Sequence, residues 1–433
     1  MSKIAFYTLG CKVNQSDTAS MEKLFRTAGY QVVDFAKEAD IYVINTCVVT
    51  NMGQRKSRQV IHRAIRKNPQ ALVVVTGCYP QTAAEEVRAI PGVDLIIGNQ
   101  ERASVVDLVQ KAGAKRVDTL DAVRKLDRHT AFEELAADSE TGKTRAFLKI
   151  QEGCNQFCTF CIIPYARGPL RSRSLKNIKE EVMRLVAAGF KEVVLIGIHL
   201  GAYGKEDANN YTLTDAVRAA LSVEGLERLR LGSLESVEVE DDLLDLMVKD
   251  QRIQRQLHLP LQAGTDEILH SMHRPYTTEV FSALLRKIRS KLPDVAITTD
   301  LIVGFPGETD ELFAEGKKFI EQCAFSKMHI FPFSARKGTP AATFPMVVDE
   351  QTKQARAATL AKLDEASQVR FCKNLCGSEL SVLFEQENNT GIWEGLSGNY
   401  VKIYVRSEEN LAGQVKTVKT TELFQDGLLG ICI

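Results

Sequence analysis

The sequence predicts an α/β protein in three parts: an N-terminal parallel, doubly wound sheet, a central partial (β/α)6 barrel and a small C-terminal β-barrel. Three observations carry this reading. Short, branched apolar runs alternate with helical patterns at the start of the chain. The alternation resumes from Arg145 with longer helices. From Ser378 the texture changes to short strands and turns such as SVLFEQE and NYVKIYVRS.

At 433 residues the chain is too long for one ordinary core. Lys plus Arg and Asp plus Glu both number 55, so no global field draws it to polyanions, and any contact with nucleic acid must come from a local basic patch. The start, MSKIAFYTLGCKVNQ, has no apolar signal-peptide core, and no apolar run approaches a membrane span. We therefore expect a cytoplasmic protein without a membrane partner. Ten cysteines in such a chain point to metal binding or catalysis rather than a disulfide framework.

The runs IAFYTLG (4–10), IYVINT (41–46) and LVVVTG (72–77) read as buried strands, with a fourth at 94–98. Helical patterns fall at 17–28, 54–67 and near 82–89. Residues 1–115 form this first unit. Residues 116–144 are charged and poorly periodic and read as a linker, most clearly at DSETGK (138–143). Within 145–374, strands are expected at 146–151, 192–198, 228–232, 256–261, 296–303 and 327–333. Helices are expected at 178–188, 214–221, 241–248, 280–291 and 311–323, with a long one at 349–374. Six such repeats make a partial β/α barrel, whose chemistry belongs at the C-terminal strand ends. Residues 375–433 form the last module.

Two cysteine constellations stand out. Cys154, Cys158 and Cys161 lie in one loop, GCNQFCTFCIIPYARG, just after the first barrel strand. Three thiolates within eight residues can hold one face of a cubane cluster and leave one iron open. A structural zinc site is the alternative, but it prefers four protein ligands and no fourth Cys or His is near in sequence. The spacing, with Phe160 before the last cysteine, resembles the radical S-adenosylmethionine (SAM) superfamily. Cys11, Cys47 and Cys78 each follow a predicted strand, so a parallel sheet sets them side by side. Gly10 and Gly77 would let the backbone turn closely around a bulky cluster. Separate burial as three small core hydrophobes is the alternative.

The two constellations in this order, with a small β module at the end, resemble the methylthiotransferase family over nearly the whole chain. The segments that carry the resemblance include TLGCKVNQSDT, NTCVVT, GCYPQ, LHLPLQAGTDEILHSMHRPYT, TTDLIVGFPGETDE and HIFPFSARKGTPA. The TLGCKVNQ opening is most similar to the branch acting on N6-threonylcarbamoyladenosine (t6A) in tRNA. The resemblance implies two [4Fe-4S] clusters, one SAM-cleaving on Cys154, Cys158 and Cys161 and one auxiliary on Cys11, Cys47 and Cys78. It also implies two SAM molecules per turnover, a C-terminal TRAM-like RNA-binding barrel, and as partners the tRNA anticodon stem-loop, a flavodoxin-type electron donor and a sulfur donor. The implied reaction converts t6A at tRNA position 37 to its 2-methylthio derivative. Isopentenyladenosine in tRNA and ribosomal protein S12 are the rival targets. A non-catalytic iron–sulfur RNA-binding or electron-transfer protein is the rival of another class, although carriers usually fill all four iron positions.

Three further residues are candidates for the cofactor. Phe160 would pack near the SAM adenine or exclude water, Gly197 would admit the SAM backbone, and Gln262 would hydrogen-bond its ribose. No histidine is assigned as a base. The t6A carboxylate calls for an arginine, and Arg167, Arg171, Arg173 and Arg274 are all candidates. The helix at 54–67 carries six basic residues suited to tRNA phosphates or to a solvated face, and Lys402, Lys416 and Lys419 offer the same choice on the last barrel.

Overall fold

The computed structural model describes residues 1–113, 115, 118–136, 144–206, 210–388 and 391–433. The DSETGK segment therefore lies entirely outside the described residues. The N-terminal sheet has six strands, β1 (Lys3–Thr8), β2 (Gln31–Val33), β3 (Ile41–Thr46), β4 (Leu72–Gly77), β5 (Leu95–Ile96) and β6 (Leu120–Asp121), in the order β2-β1-β3-β4-β5-β6. All neighbours pair in parallel. Every residue of β3 and β4 is buried, because helices cover both faces.

Two features differ from the sequence reading. Part of the stretch read as a linker is structured: residues 120–121 form β6, and Leu120 and the following Ala122 pack against one of the sheet's two cores. The first helix, Lys12–Thr27, begins five residues earlier than its periodicity suggests. Its first turn packs against the central barrel, where Val13 joins Val194 and Ile196 in one small core. A contact between modules extends the helix, and no local pattern reports it.

The central unit contains β7 (Arg145–Lys149), β8 (Gln151–Glu152), β9 (Arg171–Ser172), β10 (Glu192–Ile196), β11 (Arg228–Leu231), β12 (Gln256–His258), β13 (Ala296–Val303) and β14 (Lys327–Pro332). β8 and β9 form a separate antiparallel clasp. The other six run parallel in chain order, β7-β10-β11 and β12-β13-β14, joined by bridges at Leu229↔Ile253 and Ser233↔His258. This is an open six-stranded β/α barrel. Its outer helices start where Ser, Thr or Asp accepts from a backbone N–H: Ser174, Thr212, Thr277, Thr309 and, on the long helix Glu350–Asn374, Asp349.

Strands β15 (Glu379–Glu387), β16 (Ile392–Ser397), β17 (Lys402–Arg406), β18 (Val415–Phe424) and β19 (Gly427–Cys432) close into a barrel in the order β15-β16-β17-β19-β18. A buried ionic staple seats it under the central barrel. Glu192 accepts from Arg228 at 2.7 Å and from Arg230 at 2.9 Å. The two guanidinium groups also donate to the carbonyls of Ser381, Leu396, Ser397 and Gly398. The Tyr400 ring lies under Arg230, 4.8 Å from the guanidinium carbon.

Burial alone would raise the Glu192 carboxyl, but Arg230 and Arg228 hold it down to about 2. Its contribution is therefore present above the ordinary carboxylate range and is lost as pH falls from about 4 toward 2. Glu192→Gln leaves both buried arginines without a counter-charge and should cost about 3–5 kcal/mol. Thermal unfolding and the rate of proteolytic release of residues 375–433 measure this; an unchanged Tm and release rate would refute the staple.

Candidate active site at the junction of the sheet and the barrel

Cys11, Cys47 and Cys78 follow the C-terminal ends of β1, β3 and β4, which are neighbours in the sheet. Two left-handed glycines bring the ends together. A Cβ on Gly10 (φ 100°) would come within 3.1 Å of the Cys47 Sγ, and one on Gly77 (φ 96°) within 2.6 Å of the Thr46 carbonyl oxygen. Both glycines allow a close approach between neighbouring strand ends, and Gly10 does so right beside the Cys47 sulfur. Burial pushes the Cys47 thiol up to about 11, and the Cys78 and Cys11 thiols add to the rise, so the three sulfurs share one field.

The second triad sits in the loop after β8. The Cys161 N–H donates to the Cys158 carbonyl at 2.9 Å and the Gln156 N–H to the Cys154 sulfur at 3.4 Å, folding the loop on itself. Arg274 donates to the Cys158 sulfur at 3.1 Å and pairs with Glu235. His199 Nδ1 lies 3.5 Å from the Cys154 sulfur while its Nε2 meets Glu238 at 2.9 Å. Burial opposes charge on His199, but these two contacts push it up to about 10. Burial also raises the Cys161 thiol, to about 12. Thiols beside fixed cations suit a group that takes them as thiolates, and three per site match a cubane with one open iron.

Arg167 connects the two triads. It is fully buried and ends the short helix Ile163–Arg167, directly after the Cys154–Cys161 loop. Its guanidinium donates to the Cys78 sulfur at 3.4 Å, to Asp17 at 2.8 Å, to Glu152 at 2.6 Å and to the Asn14 side chain. Around it, Arg102 bonds Asp17 at 2.6 Å, Glu152 at 2.9 Å and Glu133 at 2.9 Å, and Lys149 bonds Asp17 at 2.5 Å. Asp17, Arg102, Lys149 and Glu152 are all buried. Burial alone would raise Asp17 and Glu152, but Arg102, Lys149 and Arg167 hold both below the usual carboxylate range.

Three of the four arginines considered for the t6A carboxylate, Arg167, Arg173 and Arg274, are committed to protein partners, while Arg171 keeps its buried Nε and Nη2 without a hydrogen bond among the described residues. Arg167 is committed as above, Arg171 lies 3.5 Å from Glu152, and Arg173 donates to the Lys149 and Leu135 carbonyls and to Asn177. Arg274 is held by Glu235, Tyr276 and Cys158. Lys402 is likewise paired, with Asp426 and Glu394.

The three cofactor candidates have structural occupations. Phe160 stands edge-on to Phe305, whose ring meets Phe333 and Phe344, so it belongs to an aromatic wall. A Cβ on Gly197 would approach Gln151 to 2.9 Å, and the Gln151 side-chain Oε1 accepts from the His199 backbone N–H at 2.7 Å. Gln262 takes a left-handed φ of 70° and bridges to β13 through its backbone at Asp300 and Ile302. The structure also gathers His258, Asp300 and His329 on one face of β12–β14, with ligand atoms within 4.8 Å of one another. Thr298 holds His258 Nδ1 at 2.9 Å. Periodicity gives no sign of this group, because its members come from three separate strands.

An open β/α barrel with this three-cysteine loop defines a radical SAM enzyme. Residues 148–320 match the model of the radical SAM superfamily, and residues 3–98 that of an uncharacterized protein family, UPF0004. The chain is 42% identical to threonylcarbamoyladenosine tRNA methylthiotransferase MtaB of Bacillus subtilis, over 97% of this chain and 94% of that protein. It is 40% identical to MtaB of Aquifex aeolicus, over 93% and 96%. To a tRNA-2-methylthio-N(6)-dimethylallyladenosine synthase of Fusobacterium nucleatum it is 33% identical, over 98% of both. The chain belongs to the radical SAM methylthiotransferase family. Among solved structures, the radical SAM methyltransferase TsrM of Kitasatospora setae shares the fold, with a TM-score of 0.57 at 15% identity over 91% of this chain and 81% of that one.

Because Asp17 and Glu152 are held low, the junction's ionic stability is present above the usual carboxylate range and is lost as pH falls below about 4. Asp17→Asn keeps the shape and removes the charge facing Arg102, Lys149 and Arg167, with an expected loss of about 3–5 kcal/mol. Urea unfolding at neutral pH tests this, and an unmoved midpoint would rule out the network as a source of stability.

Proposed function

We propose that this chain is the enzyme that converts t6A at position 37 of tRNA to 2-methylthio-t6A. The observation that carries the proposal is the juxtaposition of two cysteine triads through one buried arginine, in a chain 42% identical to a t6A methylthiotransferase over nearly its whole length. Cys154, Cys158 and Cys161 would hold the cluster that takes SAM, and Cys11, Cys47 and Cys78 the auxiliary one. When bound, the first cluster with SAM supplies a radical able to abstract hydrogen from an unactivated C–H, and the second supplies the sulfur.

The protein's own residues orient and insulate these groups. Arg274 holds Cys158 and His199 holds Cys154, so two of the three loop thiols are positioned by cations. The wall of Phe160, Phe305, Phe333 and Phe344 excludes water beside the loop. Arg167 fixes the auxiliary triad relative to the loop, which a transfer between neighbouring centres requires. The tRNA presents its anticodon stem-loop at this junction. A flavodoxin-type reductant supplies electrons and a separate donor replenishes sulfur. The C-terminal barrel acts as a TRAM-like RNA-binding module. Among the described residues no helix is long and apolar enough to cross a membrane, in keeping with work on cytoplasmic tRNA.

Mass spectrometry of tRNA nucleosides from cells with and without the gene tests the assignment. Loss of 2-methylthio-t6A with accumulation of t6A is expected, whereas a change confined to isopentenyladenosine derivatives would move the chain to the other tRNA branch. In the purified enzyme, Cys158→Ala should abolish formation of 5′-deoxyadenosine from SAM. Cys78→Ala should keep that cleavage and lose the methylthio product. If Cys78→Ala still makes product, the auxiliary role of the first triad is wrong.

A further inference from the structure

The helix Asn51–Lys67 begins four residues after Cys47 and carries Arg55, Lys56, Arg58, Arg63, Arg66 and Lys67 with no acidic residue. In a chain whose charges balance, 55 against 55, that is a strong local asymmetry. The outer helices Leu175–Ala187, Thr278–Lys291, Asp310–Gln322 and Glu350–Asn374 all mix both signs, as a solvated face does when it gains from opposite-charge pairs three or four residues apart. This helix forgoes that gain. It sets Arg63 beside Lys67 at like-charge spacing and places no acid in its first turn to complement the dipole.

The six cations divide by what they touch. Arg63 stacks on Tyr7 and Phe35, Lys67 donates to the Phe35 and Ala36 carbonyls, and Arg58 donates to the Tyr79 hydroxyl. These three anchor the helix to its own sheet. Arg55, Lys56 and Arg66 are exposed and make no ion pair among the described residues. Arg55, His62 and Arg66, at i, i+7 and i+11, share one outward line with Gln59. The buried line, Ser57, Val60, Ile61 and Ala64, faces the opposite way.

The helix also points at the chemistry. The Ser57 hydroxyl donates to the Cys47 carbonyl at 3.2 Å, and a Cβ on Gly53 would lie 3.7 Å from the Cys47 sulfur. A backbone bound along its roughly 25 Å would end at the auxiliary triad. We propose that the outward line of this helix, with Arg55 and Arg66 as its cations and Lys56 on its flank, is a phosphate rail. It holds the tRNA backbone and leads the target nucleoside to Cys11, Cys47 and Cys78. This rests on the tRNA methylthiotransferase reading above and assigns to the N-terminal sheet a share of RNA binding beyond that of the C-terminal barrel.

The test uses the full-length, cluster-loaded enzyme and tRNA that carries t6A at position 37 without the 2-methylthio group, with Kd measured by fluorescence anisotropy from 50 to 200 mM KCl. Arg55→Gln/Arg66→Gln should lower the slope of log Kd against log salt by about 1.5, so that the wild type loses about tenfold more affinity than the variant across that range. Arg55→Lys/Arg66→Lys should restore the slope, and Lys176→Gln/Lys179→Gln on the mixed-charge helix should leave it alone. Formation of 5′-deoxyadenosine from SAM without tRNA, and Tm, should be unchanged in all three. If the wild type binds tRNA and converts t6A while the Gln pair binds with the wild-type slope, the rail is refuted and the enzymatic reading stands. An equal loss in the Lys176/Lys179 pair refutes it too, by making the effect one of overall charge. If the wild type neither binds nor modifies tRNA, the functional reading itself falls.

Discussion

Arg167 is a guanidinium removed from water between two modules, and the position of both triads depends on how its charge is compensated. Desolvating such an ion costs several kcal/mol, so it persists only where carboxylates and hydrogen bonds replace water. Asp17 and Glu152 do so, one from the first helix of the N-terminal sheet and one from the strand just before the cysteine loop. Four buried cations (Arg102, Lys149, Arg167 and Arg171) meet three carboxylates (Asp17, Glu133 and Glu152). The arrangement therefore carries a surplus positive charge, and Arg167 turns it toward the Cys78 sulfur. A thiolate-bound group at that corner would meet a counter-charge already in place. Neither module can satisfy its share alone, so folding of each is tied to correct docking of the other.

The same device recurs below the barrel, where Glu192, Arg228 and Arg230 seat the C-terminal module. Buried ion pairs contribute little net stability compared with apolar packing, but a mispaired one is heavily penalised. Their directional geometry rejects wrong dockings, which a greasy interface would tolerate. A protein that must hold two reactive centres in register has use for that property.

Much of the scaffold was legible in the residues. β3 and β4 carry nearly unbroken β-branched runs, and helices such as Leu213–Leu221 show a cap followed by a clear apolar stripe. That strand-end logic brought Cys11, Cys47 and Cys78 together without any knowledge of contacts. β6 escaped notice because two residues paired at a sheet edge have no periodicity to display. The junction charges escaped for another reason. Lys149 and Glu152 in AFLKIQEG, and Asp17 in NQSDTAS, look like ordinary polar punctuation, and only the approach of a second module buries them. A charged residue at the end of an otherwise apolar strand beside a cysteine loop was the available signal.

The arginines show how far such signals reach. Guanidinium groups near a ligand loop invite assignment to an anionic substrate, and the four nearest the triads all fit that description by sequence position. The structure holds Arg167, Arg173 and Arg274 in hydrogen bonds to protein groups, while Arg171 approaches Glu152 only to 3.5 Å and keeps its Nε and Nη2 without a hydrogen bond. Arg55, Lys56 and Arg66, on the helix that leaves Cys47, are by contrast exposed and make no ion pair among the described residues. Burial thus separates the paired cations that fix the centres relative to each other from the exposed ones on that helix. A polyanion approaching the site would meet the exposed group first, because the other cations are buried and out of reach.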